Sequence, residues 1–361
     1  MKQSKSWCFP IICVVAATLL LLPGCSNPGG EDSDTPREFS WSSDTIRFNE
    51  ISQTNLVALW GQNASTLIAV GHNSSSSAGT AYRFDGTNWN TLGFHSSEGG
   101  PISGALTFLD IDGVNSDELA IAGDERVADP NSPRGKLVPV VVLKQGSSWT
   151  KIEAPSGSFG LAVTYGLNSE VWVGLDAPFV YRRANQVWSP DSLPLRNVSG
   201  STLRVSSLCS DNLGQIYANV QFLTPTGLIL GRYFLRRTES DWQVLDSASD
   251  SRRWGDNGIW ISPSNRIYSV GGAVHEYSGG VWQSLFESPD GVFTSIDGTS
   301  DDDLIVVGNF GQAFGYDGQR WSRLDVATEP GILFTDVWVQ AHDAFLLGST
   351  DLLTIVFHGK R

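Results

Sequence analysis

The sequence predicts an all-β fold, a seven-bladed β-propeller, and three observations carry that prediction. A unit of four short β-type runs recurs along the chain. A tryptophan closes the last turn of most units, at compact spacings of 39 to 40 residues. The final unit lacks its tryptophan and its outer strand, and a matching piece stands near the start of the chain. A ring stitched shut by its two ends accounts for all three, since closure removes the free sheet edges that invite aggregation.

Residues 1–24 open with Lys2 and Lys5, run apolar from Phe9 to Leu22, and reach Pro23-Gly24 before Cys25. A basic start, a short apolar stretch and small residues before a cleavage point mark a secretory signal. The run falls short of the ~20 apolar residues that span a bilayer. Its ending, LPGC, resembles the lipobox of bacterial lipoproteins. That resemblance implies an acylated Cys25 as the first residue of the mature chain, with the membrane as a partner through its lipid. Ser26 resembles an outer-membrane sorting residue, so a lipid-anchored place in the cell envelope, at the outer membrane, is expected. Residues 25–38 are polar, acidic and rich in Gly and Pro, and read as a flexible tether. Stretched out, they reach ~45 Å at about 3.4 Å per residue.

Residues 39–361 carry the repeats. LVALWGQNASTLIAVG from Leu56 leads to AYRFDGTNWNTLG; GIWISPSNRIYSVGG leads to AVHEYSGGVWQSL; FTSIDGTSDDDLIVVG leads to QAFGYDGQRWSRLDV. Lettered A to D from the axis outward, the runs of blade one fall near 56–60, 66–71, 80–85 and 88–92. Run B ends in Val70-Gly71, Val270-Gly271 and Val307-Gly308. The closing tryptophans are Trp89, Trp149, Trp188, Trp242, Trp282 and Trp321. A further step of 40 residues ends at Arg361, where Phe357-His358-Gly359 stands without a tryptophan. Phe39-Ser40-Trp41 and the SSDTIRF after it supply the missing strand. These units resemble the propeller repeats of bacterial lipoproteins and secreted proteins across about 39–361. The grouping is architectural and implies no activity.

Once the signal leaves with Cys8 and Cys13 and Cys25 takes lipid, only Cys209 remains, so no intramolecular disulfide forms. The formal charge is −14, and −16 without Lys2 and Lys5. Such a surface repels polyanions, which excludes nucleic acid as a partner. A monomer with no cofactor is expected.

The two faces of the ring differ. A–B and C–D turns share one face, and the C–D turns are mostly short and alike, as in DGTN, SGGV and DGQR. B–C and D–A connections share the other and are elaborated, at 124–137, 221–227 and Gly93–Ala105. Variable loops on a rigid scaffold are where binding residues usually sit. Because Trp41 begins a D strand, the chain and its lipid should approach the short-turn face, leaving the elaborated face turned away from the membrane.

Aligning the ends of the A strands places Trp60, Asp112, Tyr165, Cys209, Trp260, Asp297 and Trp338 together near the channel. Aromatics and carboxylates converging there suit a sugar or a cation. The competing explanation packs the aromatics between blades and gives each Asp-Gly a turn-forming role. Arg252-Arg253-Trp254, expected on the elaborated face, are residue types favoured at binding hot spots. The five histidines are scattered, and Asp301-Asp302-Asp303 lacks the ligand spacing of a calcium loop, so there is no metal signature. The D-G-x-x-W turn lacks the serine and the spacing of the sialidase Asp-box. The function expected is a non-catalytic cell-envelope scaffold binding a protein or glycan on the long-loop face. The alternative is a propeller enzyme acting on glycans, a hydrolase or lyase. A binder should expose an apolar patch on the elaborated face. An enzyme should hold two carboxylates roughly 5–10 Å apart in a deep pocket.

Overall fold

The computed structural model describes residues 38–48, 53–74, 78–153, 160–195, 200–249, 254–326, 331–350 and 353–361. The signal, Cys25, the tether up to residue 37, Arg252 and Arg253 therefore lie outside the described residues.

The described chain begins with β1 (Ser40–Ile46), which belongs to the last blade. Blade one is β2 (Thr54–Asn63), β3 (Thr66–Asn73), β4 (Ala81–Phe84) and β5 (Trp89–Thr91). Blade two is β6 (Ala105–Asn115), β7 (Glu118–Asp129), β8 (Ser132–Gln145) and β9 (Ser148–Glu153). Blade three is β10 (Gly160–Tyr165), β11 (Val171–Leu175), β12 (Phe179–Ala184) and β13 (Val187–Ser192). Blade four is β14 (Thr202–Ser210), β15 (Ile216–Leu223), β16 (Ile229–Arg237) and β17 (Trp242–Ala248). Blade five is β18 (Gly258–Ile261), β19 (Ile267–Val270), β20 (Ala273–Ser278) and β21 (Val281–Glu287). Blade six is β22 (Phe293–Ser300), β23 (Asp303–Gly308), β24 (Ala313–Tyr316) and β25 (Trp321–Arg323). Blade seven is β26 (Leu333–Gln340), β27 (Asp343–Ser349) and β28 (Thr354–Lys360), completed by β1. These seven four-stranded sheets are the seven-bladed β-propeller that the repeats predict.

Burial explains the composition of each strand. B strands lie between the faces of adjacent blades and read as unbroken apolar runs, as in Leu67–Val70 and Leu304–Val307, all buried. D strands meet solvent on their outer side and are mostly exposed, as in β21, where Trp282 and Phe286 are half-buried and the rest exposed. The core is accordingly divided among clusters at the seams between blades, and bridges them: Ala58, Ile68 and Val70 of blade one pack with Phe108, Ile111 and Ile121 of blade two.

The closure is as expected. In β1 against β28, Ser40 faces Lys360, Trp41 faces Gly359 and Ser43 faces Phe357. The Trp41 ring covers Gly359, where a Cβ would fall 2.7 Å from it. Arg361 extends the latch into blade six: its guanidinium meets both carboxylate oxygens of Asp303 and lies 5.0 Å from the Phe39 ring centroid. Because Ser40 opposes Lys360, the chain enters the blade at the short-turn face.

Two expected loops are hairpins. The segment 124–137 continues the ladder of β7 and β8 beyond the blade, from Asp124 opposite Pro139 to Asp129 opposite Ser132. In 221–227, Gln221–Leu223 belong to β15, and the turn is only Thr224–Leu228. Their Pro and Gly content suggested loop, but Gly135 with φ +70° forms a bulge that the ladder tolerates.

Candidate functional site

The innermost strands surround an axial channel that contains a cavity of about 370 Å³. Its wall includes Trp60, Asp112, Cys209, Trp260, Asp297 and Trp338, six of the seven positions aligned from sequence. The seventh needs correction. Tyr165 is buried among Val163, Val171 and Tyr181, and Thr164 takes the channel place in blade three. The cause is a one-residue slip in aligning the sequence, since Thr164 follows Gly160 as Asp112 follows Phe108, and one residue along a strand is the opposite face.

Two further carboxylates, Asp110 and Asp336, line the same cavity. Each stands just after a bulge in strand A, where the ladder shifts between Phe108 and Asp110 and between Phe334 and Asp336. The signal for them was present in the sequence. FLDID at 108–112, FTSID at 293–297 and FTDVW at 334–338 align, and the period of two puts the third and fifth residues on one face.

All four carboxylates reach across a seam to the next blade. Asp336 accepts the Leu59 N–H of blade one at 2.7 Å and the Ser295 hydroxyl of blade six at 2.6 Å, so one side chain joins three blades. Asp297 accepts the Val339 N–H at 2.7 Å. Asp110 accepts the Val163 N–H at 2.8 Å, and Asp112 accepts the Tyr165 N–H at 2.8 Å and the Thr164 hydroxyl at 2.9 Å. The remaining oxygen of Asp110, Asp112 and Asp297 takes the N–H of the following residue, and Asp336 holds its own following N–H through the oxygen that Ser295 also reaches. The Asp-Gly pairs at 112–113 and 297–298 therefore sit inside strands and bond between blades, and do not shape turns.

The four acids are half-buried along the channel, with protein crowded around each of them. Desolvation raises all four acids: Asp110 to about 8, Asp297 to about 7, Asp336 to about 6, and Asp112 in the same direction. The charges of Asp112 and Asp336 push Asp110 further up. Burial likewise drives the Cys209 thiol well above its ordinary value, so it is no ready nucleophile. Asp110 and Asp112 are two residues apart on one strand face, roughly 6.6 Å at about 3.3 Å per residue. That is the spacing an enzyme's pair would show, but their oxygens are already committed to backbone donors.

The tryptophans pack between blades. The Trp60 indole donates to the Gly113 carbonyl of blade two at 3.1 Å, and Trp338 of blade seven lies where a Cβ on Gly61 would stand, 2.4 Å from its ring. Among the described residues no group of three or more His, Cys, Asp or Glu could hold a metal.

Trp254 is wholly buried, stacked on Trp282 with centroids 5.9 Å apart, and donates its indole N–H to Asn219 at 3.1 Å. It fills the seam between blades four and five and has no surface to offer a partner, contrary to the expectation from sequence. Exposed apolar groups on the elaborated face lie elsewhere. Phe310, in the B–C connection of blade six, is 70% exposed and holds a left-handed φ of 58°. The adjoining Gly311 N–H donates to the Ile332 carbonyl, next to exposed Leu333. Leu228 and Leu230 project from the β15–β16 hairpin on the same face.

No protein-family model matches the chain, and neither does any curated protein. Solved structures do. YCF48 from Cyanidioschyzon merolae is 16% identical, with a TM-score of 0.61, covering 88% of this chain and 98% of that one. A structure of YCF48 bound to D1 peptide is 14% identical, with a TM-score of 0.60 and coverage of 91% and 98%. The extracellular domain of the one-component system BT4673 from B. thetaiotaomicron is 12% identical, with a TM-score of 0.55 and coverage of 88% and 40%. At these identities the likeness establishes the propeller fold.

Proposed function

We propose that this chain is a non-catalytic scaffold that holds a protein partner on its elaborated face while anchored in the cell envelope, at the outer membrane, through acylated Cys25. One observation carries the reading: Phe310 is presented to solvent at the cost of a backbone conformation that bulky residues avoid. Such a conformation costs ~1–3 kcal/mol, and its persistence at an exposed aromatic points to use. The ring rests on Gly291, where a Cβ would come within 3.0 Å, and its outer side is open. Leu333 extends the apolar surface. The propellers of similar fold include one bound to a peptide and one that is an extracellular domain, which is compatible with a binding role. Arg252 and Arg253 join the proposal on sequence grounds alone.

The glycan-enzyme alternative draws on the raised channel acids. It is the weaker reading, because acid or base work by any of them would release a bond between blades.

Pull-down from solubilised membranes tests the proposal. Phe310→Ala should abolish capture of a partner that the unaltered protein retains, and relief of the left-handed strain by Phe310→Gly should not restore it. Cys25→Ser should move the protein out of the membrane fraction. Equal capture by Phe310→Ala would remove the partner site; membrane retention of Cys25→Ser would remove the anchor.

A further inference from the structure

A second cavity, of about 410 Å³, opens between blades one and two toward the short-turn face. Its size falls within the ~300–1,000 Å³ of small-ligand sites. Arg83, Asp85 and Asn90 of blade one face Ser116, Lys144 and Trp149 of blade two across it.

The charges of this cavity are unequally satisfied. Asp85 is taken up by its own turn, accepting the N–H groups of Thr87 at 3.0 Å and Asn88 at 2.8 Å and the Asn90 amide at 3.2 Å. The Asn88 and Thr87 N–H groups, with the nearby Arg83 charge, hold its carboxyl below the usual range. Lys144 is paired with Asp117 at 2.9 Å and also donates to the Ser116 carbonyl, its ammonium 6.0 Å from the Trp149 ring centroid. Arg83 is different. Its guanidinium feels Asp85 through charge alone, makes no close ion pair or hydrogen bond among the described residues, and lines the cavity from an exposed position. Trp149 packs one side on Phe94, with centroids 5.1 Å apart, and borders the cavity with the rest.

The lining thus presents two cations, one carboxylate already engaged, and an indole, in a chain whose formal charge is −14. A planar guanidinium fork matches a carboxylate with two parallel bonds. An indole offers a flat apolar surface to a ring of similar size. The Asn90 carbonyl oxygen and the Ser116 hydroxyl remain for hydroxyl groups. We propose that the cavity between blades one and two binds the carboxylate-bearing sugar ring of an acidic glycan, with the carboxylate on Arg83 and the ring against Trp149. The site lies on the face opposite Phe310 and does not depend on the protein-partner reading.

Titration calorimetry with digalacturonate tests it, with maltose as the neutral disaccharide of equal size. Digalacturonate should bind saturably and at least tenfold more tightly than maltose. Arg83→Gln, an exposed substitution that leaves the fold intact, should weaken it at least tenfold. Trp149→Phe keeps an aromatic on Phe94 and should weaken it severalfold. Phe310→Ala should leave it unchanged, which separates this site from the partner site. No heat from digalacturonate at millimolar concentration, equal affinity for maltose, or unchanged binding in Arg83→Gln would each overturn the proposal.

Discussion

Individual carboxylates set the chemistry of the ring's axis, and their effect on stability has an unusual sign. An Asp in the unfolded chain titrates near ~3.9. In the folded ring Asp110, Asp297 and Asp336 titrate at about 8, 7 and 6 because burial penalises their charge. The folded state therefore binds more protons than the unfolded chain between these limits. Where that holds, stability is greatest at low pH and is lost as pH rises through the folded values. Other groups pull the opposite way lower down: Asp85 and Asp317 are held below their ordinary value by turn N–H donors and weaken the fold only under acid conditions. The expected outcome is a urea midpoint higher at pH 5.5 than at pH 8. Asp110→Asn, which keeps the shape and removes the charge, should flatten that slope. A midpoint that rises steadily to pH 8 would show that the channel acids are ionised at little cost.

At the scale of strands and seams, glycines in the inner strands decide how closely blades approach. Gly61 sits under the Trp338 ring, so Gly61→Val forces blades one and seven apart or moves the indole. Overpacking of this kind costs ~1–3 kcal/mol, and thermal melting should show the loss without any change in the partner's capture. An unchanged melting temperature would mean that this seam is loose. The same elements show what the sequence made legible. Val-Gly at the end of strand B recurs where the glycine lies against strand A of its own blade, as Gly71 on Leu56 and Gly308 on Phe293, and with the tryptophan at the start of strand D it let blade count and closure be read directly. Strand A of blade three could not be aligned, since Gly160–Tyr165 carries no aromatic or acid at the channel position; its bulge is the one that the inner strands of blades one, two, four, six and seven share. The hairpin at 124–137 was hidden by Pro130 and Pro133, which pattern alone assigns to loops. Trp254 looked like a surface anchor because polar residues flank it, and only the packing of Trp282 and Asn219 around it reveals the burial. Phe310 gave no signal at all, because its exposure depends on a left-handed turn that Asn-Phe-Gly does not announce.

For the whole molecule, everything rests on a seam that the chain's two ends share. β1 supplies the outer strand of blade seven and continues toward blade one, so it joins the first and last blades covalently. Without it, those blades would be held by side-chain contacts alone: Asp336 on Leu59, Thr354 on the backbone of Leu56 and Thr54, and Trp338 over Gly61. Removing residues 1–46 should therefore do two things at once. The melting temperature should fall, because β28 loses its outer ladder to β1 and the ring loses its tie. The exposed edge of β28, buried and apolar from Ile355 to Phe357, should pair with another copy, as unpaired strands do. Size-exclusion chromatography with light scattering reads the second effect directly, with the full-length ring expected as a monomer and the truncated form as dimers or larger species. Arg361→Ala, which cuts the contacts to Asp303, Phe39 and the Ala341 carbonyl but spares the strand ladder, should lower stability and leave the monomer intact. A truncated chain that stayed monomeric and melted with the full-length protein would mean that the seven blades cohere through their seams, and that closure by the amino-terminal strand is incidental to the fold.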